Sequence, residues 1–214
     1  MNPGDKMDLQ IKIPDSTSEV KNKVKDSIFW GNIKHVKSKE EAEQFITTIK
    51  EKYHDASHNV SAYIILKDED NIKYYDDDGE PSKSSGPPVL ETIKGENLVN
   101  TVIVVTRYFG GTKLGIGGLI RAYGGTAKQV IQKAGIKKLD LYYYLKAKGN
   151  YQIVGTMLGQ VEAFKGKIKE TKYSEKGAEI YFYLDPEKYT NLKNQLIEQT
   201  GNKVEFEILK KLYL

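Results

Sequence analysis

Arg107, Lys113 and Arg121 fall in a stretch, residues 101 to 139, that carries seven Lys or Arg and no Asp or Glu. Seven glycines cluster between positions 110 and 125 of the same stretch. This combination suits anion binding. A β-branched strand (Val102 to Thr106) runs into a glycine loop, and an apolar helical pattern follows Gly118. Backbone N–H groups at a helix start lack intrahelical partners, and the helix dipole favours negative charge there. Arginine adds planar, bidentate contact to phosphate. The candidate anion- or nucleic-acid-binding residues are therefore Arg107, Tyr108, Gly110, Gly111, Lys113, Gly115, Gly117, Gly118 and Arg121, with all three cations able to converge on one anion. The competing reading is that the glycines serve close packing and that Arg107 or Arg121 pairs with Asp77, Asp78 or Glu80.

Two known phosphate geometries fail. Gly110 and Gly115 have Walker spacing, but Ile116 and Gly117 follow where Lys and Ser/Thr are needed. Gly115-Ile116-Gly117 lacks the third glycine of a dinucleotide loop, because that position is Ile120. Aromatic residues flank the basic loop, and such rings stack unpaired bases. Tyr123 lies on the apolar stripe and reads as core, which leaves Tyr108 as the ring expected to be exposed.

An acidic loop precedes this segment. Asp76, Asp77, Asp78 and Glu80 do not have the alternate spacing of a calcium loop. Their simpler role is to cap backbone N–H groups in a turn. Asp77, Asp78 and Glu80 are placed as the acidic wall of a cleft facing the basic loop. His54-Asp55-Ala56-Ser57-His58 imitates a zinc-peptidase motif, but that motif needs a helix, and here a helix should end near Tyr53. With no cysteine and three histidines, no nucleophilic constellation, metal site or cofactor is expected.

The elements that must hold these residues are readable. Residues 26 to 36 fit a strand. Ser38 opens a helix to about Tyr53, with Glu41 at the capping-box position. Val60 to Leu66 and Ile72 to Tyr75 form a hairpin, and a polar loop runs to Pro88. A short helix from about Val89 to Ile93 precedes the strand Thr101 to Tyr108. In the long helix that follows, Gly124 and Gly125 suggest close approach of another backbone, and Gly135 is a natural stop. The last third reads Leu139 to Lys148 strand, Ile153 to Phe164 helix, a hairpin of Lys167 to Tyr173 with Ala178 to Leu184, a helix from Asp185-Pro186, and a final strand Val204 to Leu212. That β-α-β-β-α-β order is the split βαβ, ferredoxin-like arrangement. A boundary near residue 140 gives domains 1–140 and 141–214.

Charge is distributed unevenly. Residues 66 to 96 hold nine acids against four lysines, and the next 43 residues hold seven bases and no acid. A dipolar middle of this kind attracts phosphate or acidic surfaces, unless the two halves neutralise one another in the fold. The hydrophobic fraction of 39%, with 15 Tyr and 6 Phe, suits a globular α+β protein. No apolar run approaches the roughly 18 residues of a membrane helix, and the start lacks a signal-peptide core. The expectation is a soluble cytoplasmic protein.

Three stretches resemble the IMPACT family, also called UPF0029. They are Asp77-Asp78-Gly79-Glu80-Pro81-Ser82, Gly86-Pro87-Pro88-Val89-Leu90, and the run from Thr106-Arg107-Tyr108-Phe109-Gly110-Gly111 through Lys113-Leu114-Gly115-Ile116-Gly117-Gly118 to Arg121-Ala122-Tyr123. The resemblance covers about residues 20 to 135, and the last third resembles the second domain of the two-domain bacterial and archaeal members. It implies an N-terminal domain like the second domain of ribosomal protein S5, with helices on one face of a four-stranded sheet. It implies a C-terminal domain like the fifth domain of elongation factor G. The family's eukaryotic members are tied to translational control, and the resemblance implies no established catalysis. One departure stands out: where the family usually continues Gly-Thr-Ala-Gly after Ser82, this chain has Lys83-Ser84-Ser85-Gly86. Losing that glycine is expected to change the loop's shape.

Three functions fit this reading. The first is a non-enzymatic protein binding RNA, the ribosome or a translation-related protein. The second is an enzyme on a small phosphorylated or anionic substrate, with Asp78 or Glu80 as base. The third is a module for a single protein partner.

Overall fold

The computed structural model describes residues 8–67 and 70–214. It divides into two compact units. One is Ile11–Lys138, and the other is Leu139–Leu214 together with residues 8–10. The class is α+β, with two five-stranded sheets, one of which takes the chain's first strand together with its last four.

After β1 (Gln10–Pro14), the first unit carries β2 (Ser18–Val24), β3 (Ser27–His35), α1 (Lys39–Lys52), β4 (His58–Ile65), β5 (Ile72–Asp76), α2 (Gly86–Gly95), β6 (Thr101–Tyr108) and α3 (Ile116–Ala134). Its sheet runs β2-β3-β6-β4-β5 with antiparallel pairs throughout. β6 is central, and seven of its eight residues are buried, because both faces are covered. Alternation along the strand separates two cores. Ile103 and Val105 join Phe29, Ala62, Ile64 and the apolar side of α2 and α3. Val102 and Val104 join Tyr63, Ile65 and the Ala42, Ile46 and Ile49 stripe of α1.

This corrects the expectation of four strands with helices on one face. There are five strands, and α1 covers the face opposite α2 and α3. The sequence hid β2, SEVKNKV, because only Val20 and Val24 pack inward. An edge strand with outward lysines looks like a loop.

Helix boundaries follow local chemistry. Ser38 caps α1 by accepting from the Glu41 N–H. Helix α2 starts at Gly86, three residues earlier than expected, because Pro87 and Pro88 sit in a first turn whose N–H groups need no partner. Gly124 and Gly125 have another explanation than close approach. A Cβ on Gly124 would lie 3.6 Å from the Thr92 hydroxyl, an ordinary contact, and one on Gly125 would meet nothing.

The second unit contains β7 (Ile136–Gly149), α4 (Val154–Ala163), β8 (Lys167–Ser174), β9 (Gly177–Leu184), α5 (Pro186–Thr200) and β10 (Glu205–Tyr213). Strand β10 pairs with β7, which pairs with β9, which pairs with β8. This is the split βαβ order. Leu145, Ala147, Ile180, Phe182 and Leu184 face α4 and α5 across Met157, Val161, Leu192 and Leu196. The N–H of Leu141 donates to the carbonyl of Leu9, so the chain's first described residues belong with this sheet. No helix among the described residues is long and apolar enough to cross a membrane.

Candidate functional site

Strand periodicity decides where the two ends of the basic motif point. Arg107 shares its face with Ile103 and Val105, whereas Tyr108 points to the other side. The Arg107 side chain is 6% exposed, and its Nη1 donates to Glu80 Oε1 at 2.7 Å. Nη2 reaches the Ser27 hydroxyl at 3.3 Å. The guanidinium lies between the rings of Phe29 and Phe109, at 5.7 and 5.2 Å from their centroids. Its Nε is buried without a partner among the described residues.

Glu80 is the hub. Its side chain is 3% exposed, and the same Oε1 accepts from the Tyr123 hydroxyl at 2.7 Å. His58 Nε2 stands 4.0 Å away. His58 is itself held through Nδ1 at 2.8 Å from the Asp78 carbonyl, so that nitrogen carries the proton. Burial, then the Glu80 charge beside it, pushes the Tyr123 hydroxyl far above the ordinary tyrosine value. The hydroxyl therefore stays protonated and donating. The sign for stability follows. Above pH 10 the unfolded chain loses this proton while the folded chain keeps it, so stability falls as pH rises. A Tyr123→Phe variant should show a flatter alkaline limb, by about 1 kcal/mol between pH 10 and 11, in urea unfolding. Parallel limbs for the two proteins would refute this origin.

The acidic loop is spent on structure rather than on a cleft wall. Asp77 Oδ1 accepts from the N–H groups of Ser85 and Gly86, and Oδ2 from that of Lys83. Asp78 takes the Asn59 N–H on one oxygen and Lys50 Nζ on the other. Burial is the largest single influence on Lys50 and opposes its charge, but the bond to Asp78 together with the charges of Asp78 and Asp76 outweighs it and raises the lysine's pKa. Of the three acids, only Glu80 turns toward the basic segment.

The residue that stands where the family usually has glycine takes a conformation that glycine favours. Lys83 adopts φ +62°, the left-handed conformation that glycine takes without penalty. The side chain instead strains the backbone. Lys83→Gly should raise stability by about 1 kcal/mol, or roughly 2–4 °C for a chain of this size. An unchanged or lower melting temperature by calorimetry would contradict it.

Beyond Arg107 the chain turns through the glycine loop. A Cβ on Gly110 would meet the Asp26 carbonyl oxygen at 1.9 Å, so only glycine fits there. Gly111 and Gly115 have φ of +91° and +70°. Gly115 is the N-cap of α3, and the first intrahelical bond is Leu119 N–H to the Gly115 carbonyl. The N–H groups of Ile116, Gly117 and Gly118 thus precede the hydrogen-bonded ladder. A pocket of about 490 Å³ is lined by the buried Glu80 and Arg107, by Ser57 and His58, and by the exposed Phe109, Lys113 and Ile116.

The three cations do not share one hollow. Arg107 is sequestered by Glu80. Lys113 borders the larger pocket, while Arg121 borders a hollow of about 200 Å³ with Lys25, Leu114 and Gly118. Tyr108 leaves the site altogether. Its hydroxyl donates to Asp55 at 2.6 Å, its ring packs against Tyr53, and the Asp55 bond pushes its pKa up to about 12. The exposed ring beside the loop is Phe109, at 47%. Alternation along β6 was the signal that Arg107 and Tyr108 cannot serve one site. His54 lies beyond α1 and His58 opens β4, so they share no helix face. Among the described residues no group of side chains is arranged to hold a metal ion.

Fold and site together define a two-unit α+β protein built around a buried arginine–glutamate–tyrosine network beneath a basic glycine loop. The family profile described as Impact N-terminal domain matches residues 25–131. The chain is 37% identical over 179 residues to IMPACT family member YvyE of Bacillus subtilis, covering 84% of this chain and 81% of that protein. It is 32% identical to IMPACT family member YigZ of Escherichia coli, covering 75% and 79%. The chain belongs to the IMPACT family. A crystal structure described only as that of a hypothetical protein superposes over 95% of this chain and 99% of that one, with a TM-score of 0.66 at 23% identity, which supports the fold.

Proposed function

We propose that this protein is a non-enzymatic binding protein for RNA in the translation apparatus, with contact through the glycine-loop face of the first unit. One observation carries the reading. Lys25, Lys113 and Arg121 are exposed around the start of α3 and have no carboxylate partner among the described residues, and the exposed Phe109 ring lines the same pocket as Lys113. Unpaired cations attract phosphates, helix-start N–H groups receive them, and an exposed ring stacks a base. The ribosome and translation-related proteins are partners in the same setting, in keeping with the family's eukaryotic members. The enzymatic alternative is weaker, because both carboxylates named as its base are already bonded, Asp78 to Lys50 and Asn59 and Glu80 to Arg107 and Tyr123.

Fluorescence anisotropy with labelled single-stranded RNA across a salt series tests the proposal. Lys113→Ala/Arg121→Ala should weaken binding roughly tenfold and reduce the log–log salt slope by about 1.4, because two phosphates then keep their counterions. No RNA binding at low salt would sink it. Capture of one protein with little salt dependence would favour the single-partner module instead.

A further inference from the structure

The second unit presents a face that its fold does not use. Along β7 the odd residues Leu145 and Ala147 turn into the core, and along β9 Ile180, Phe182 and Leu184 do the same. The alternate positions, Tyr142 and Tyr144 on β7 and Tyr181 and Tyr183 on β9, therefore share the face away from α4 and α5. All four tyrosines are only half-buried. Tyr144 lies directly opposite Tyr183 in the register, with ring centroids 5.0 Å apart, and 6.2 Å from Tyr181.

The neighbouring strand β8 places lysines over these rings. Lys167 Nζ lies 4.8 Å from the Tyr142 centroid, Lys169 5.6 Å from Tyr144, and Lys172 5.0 Å from Tyr181. Acids are present on this face but are engaged. Glu170 pairs with Lys172, Glu207 with Lys146 and Glu205 with Lys148, while Glu179 accepts from the Tyr181 hydroxyl. Lys167 and Lys169 have no carboxylate partner among the described residues. The hydroxyls of Tyr144 and Tyr183 have no hydrogen-bond partner there either.

From this placement we infer that the tyrosine face of the second unit is a docking surface for single-stranded RNA, independent of the glycine-loop face. Aromatic rings on β7 and β9, the central strands of this five-stranded sheet, are positioned to stack splayed bases. The β8 lysines stand where the strand's phosphates would run, and the free Tyr144 and Tyr183 hydroxyls suit a ribose 2′-OH, the group that tells RNA from DNA. The choice of RNA rests on the proposed function; the aromatic surface itself does not. Two faces on one chain would raise avidity for a longer strand without any new contact.

The test uses the full chain and labelled uridine and deoxyuridine octamers in anisotropy titrations. Each variant is made both in the otherwise unchanged protein and in the Lys113→Ala/Arg121→Ala background. Tyr144→Ala/Tyr183→Ala should weaken RNA binding at least roughly tenfold in both backgrounds. Tyr144→Phe/Tyr183→Phe should keep the stacking but lose the preference for RNA over DNA. Lys167→Glu/Lys169→Glu, which leaves the rings in place, should lower the salt slope. The inference is overturned if the alanine pair, folded by circular dichroism, binds within twofold of the parent. It is overturned equally if the parent binds the deoxyuridine octamer as tightly as RNA. Binding that is lost only in the Lys113/Arg121 background would overturn this surface and leave the glycine-loop reading standing.

Discussion

Arg107→Met is expected to destabilise the protein by about 3–5 kcal/mol, the cost of leaving one member of a buried ion pair without its partner. Glu80 would keep the Tyr123 hydroxyl but lose its charged donor at 2.7 Å, in a position where its side chain is 3% exposed. The double variant Arg107→Met/Glu80→Gln removes both charges and should recover a large part of the loss, since an apolar or neutral pair often does as well as a buried ion pair. Urea unfolding of the four proteins in the cycle measures the coupling. A single-variant cost below about 1 kcal/mol, or strict additivity in the double, would show that the pair is not the hub of the first unit. RNA affinity of whatever fraction remains folded should be little changed, because this arginine serves the carboxylate and not the ligand.

The second large effect is expected at Asp77. Asp77→Ala removes the acceptor of three backbone N–H groups, those of Lys83, Ser85 and Gly86, at 2.7, 3.0 and 2.7 Å. Hydrogen bonds to a charged group contribute roughly 1.5–3 kcal/mol each, but partial rehydration of an exposed donor such as Lys83 offsets part of this. A net loss of about 3 kcal/mol is the expected result. The Ser85 hydroxyl bonds to that of Ser84 and does not cap the start of α2, so Asp77 performs the capping from outside the helix. Asp77→Asn keeps one carbonyl oxygen and should cost less than the alanine. Thermal unfolding checks the order wild type, then asparagine, then alanine. An alanine variant as stable as the parent would mean that solvent caps α2 equally well.

The sequence by itself determined the class of the fold, nearly all of its elements, and the family. The 3.6-residue stripes of α1, α3 and α5, the β-branched run of β6 and the capping signals at Ser38 and Asp185 are local. Local chemistry is written in consecutive residues. The same holds for Gly111 and Gly115, whose positive φ favours glycine, whereas Gly110 is required by a tertiary contact with the Asp26 carbonyl. What only the tertiary structure decided is which charges meet. Glu80 is 27 residues from Arg107 and 43 from Tyr123, and nothing in the spacing chooses Glu80 over Asp77 or Asp78 as the partner. Sheet pairing brings Ser27 to Arg107 across β3 and β6, and the turn after β5 sends Asp77 to the backbone and Glu80 inward. The basic segment and the acidic loop do face one another, but through a single buried carboxylate. A charge pattern along the chain sets the available signs, whereas desolvation in the folded core selects the one pair that must form.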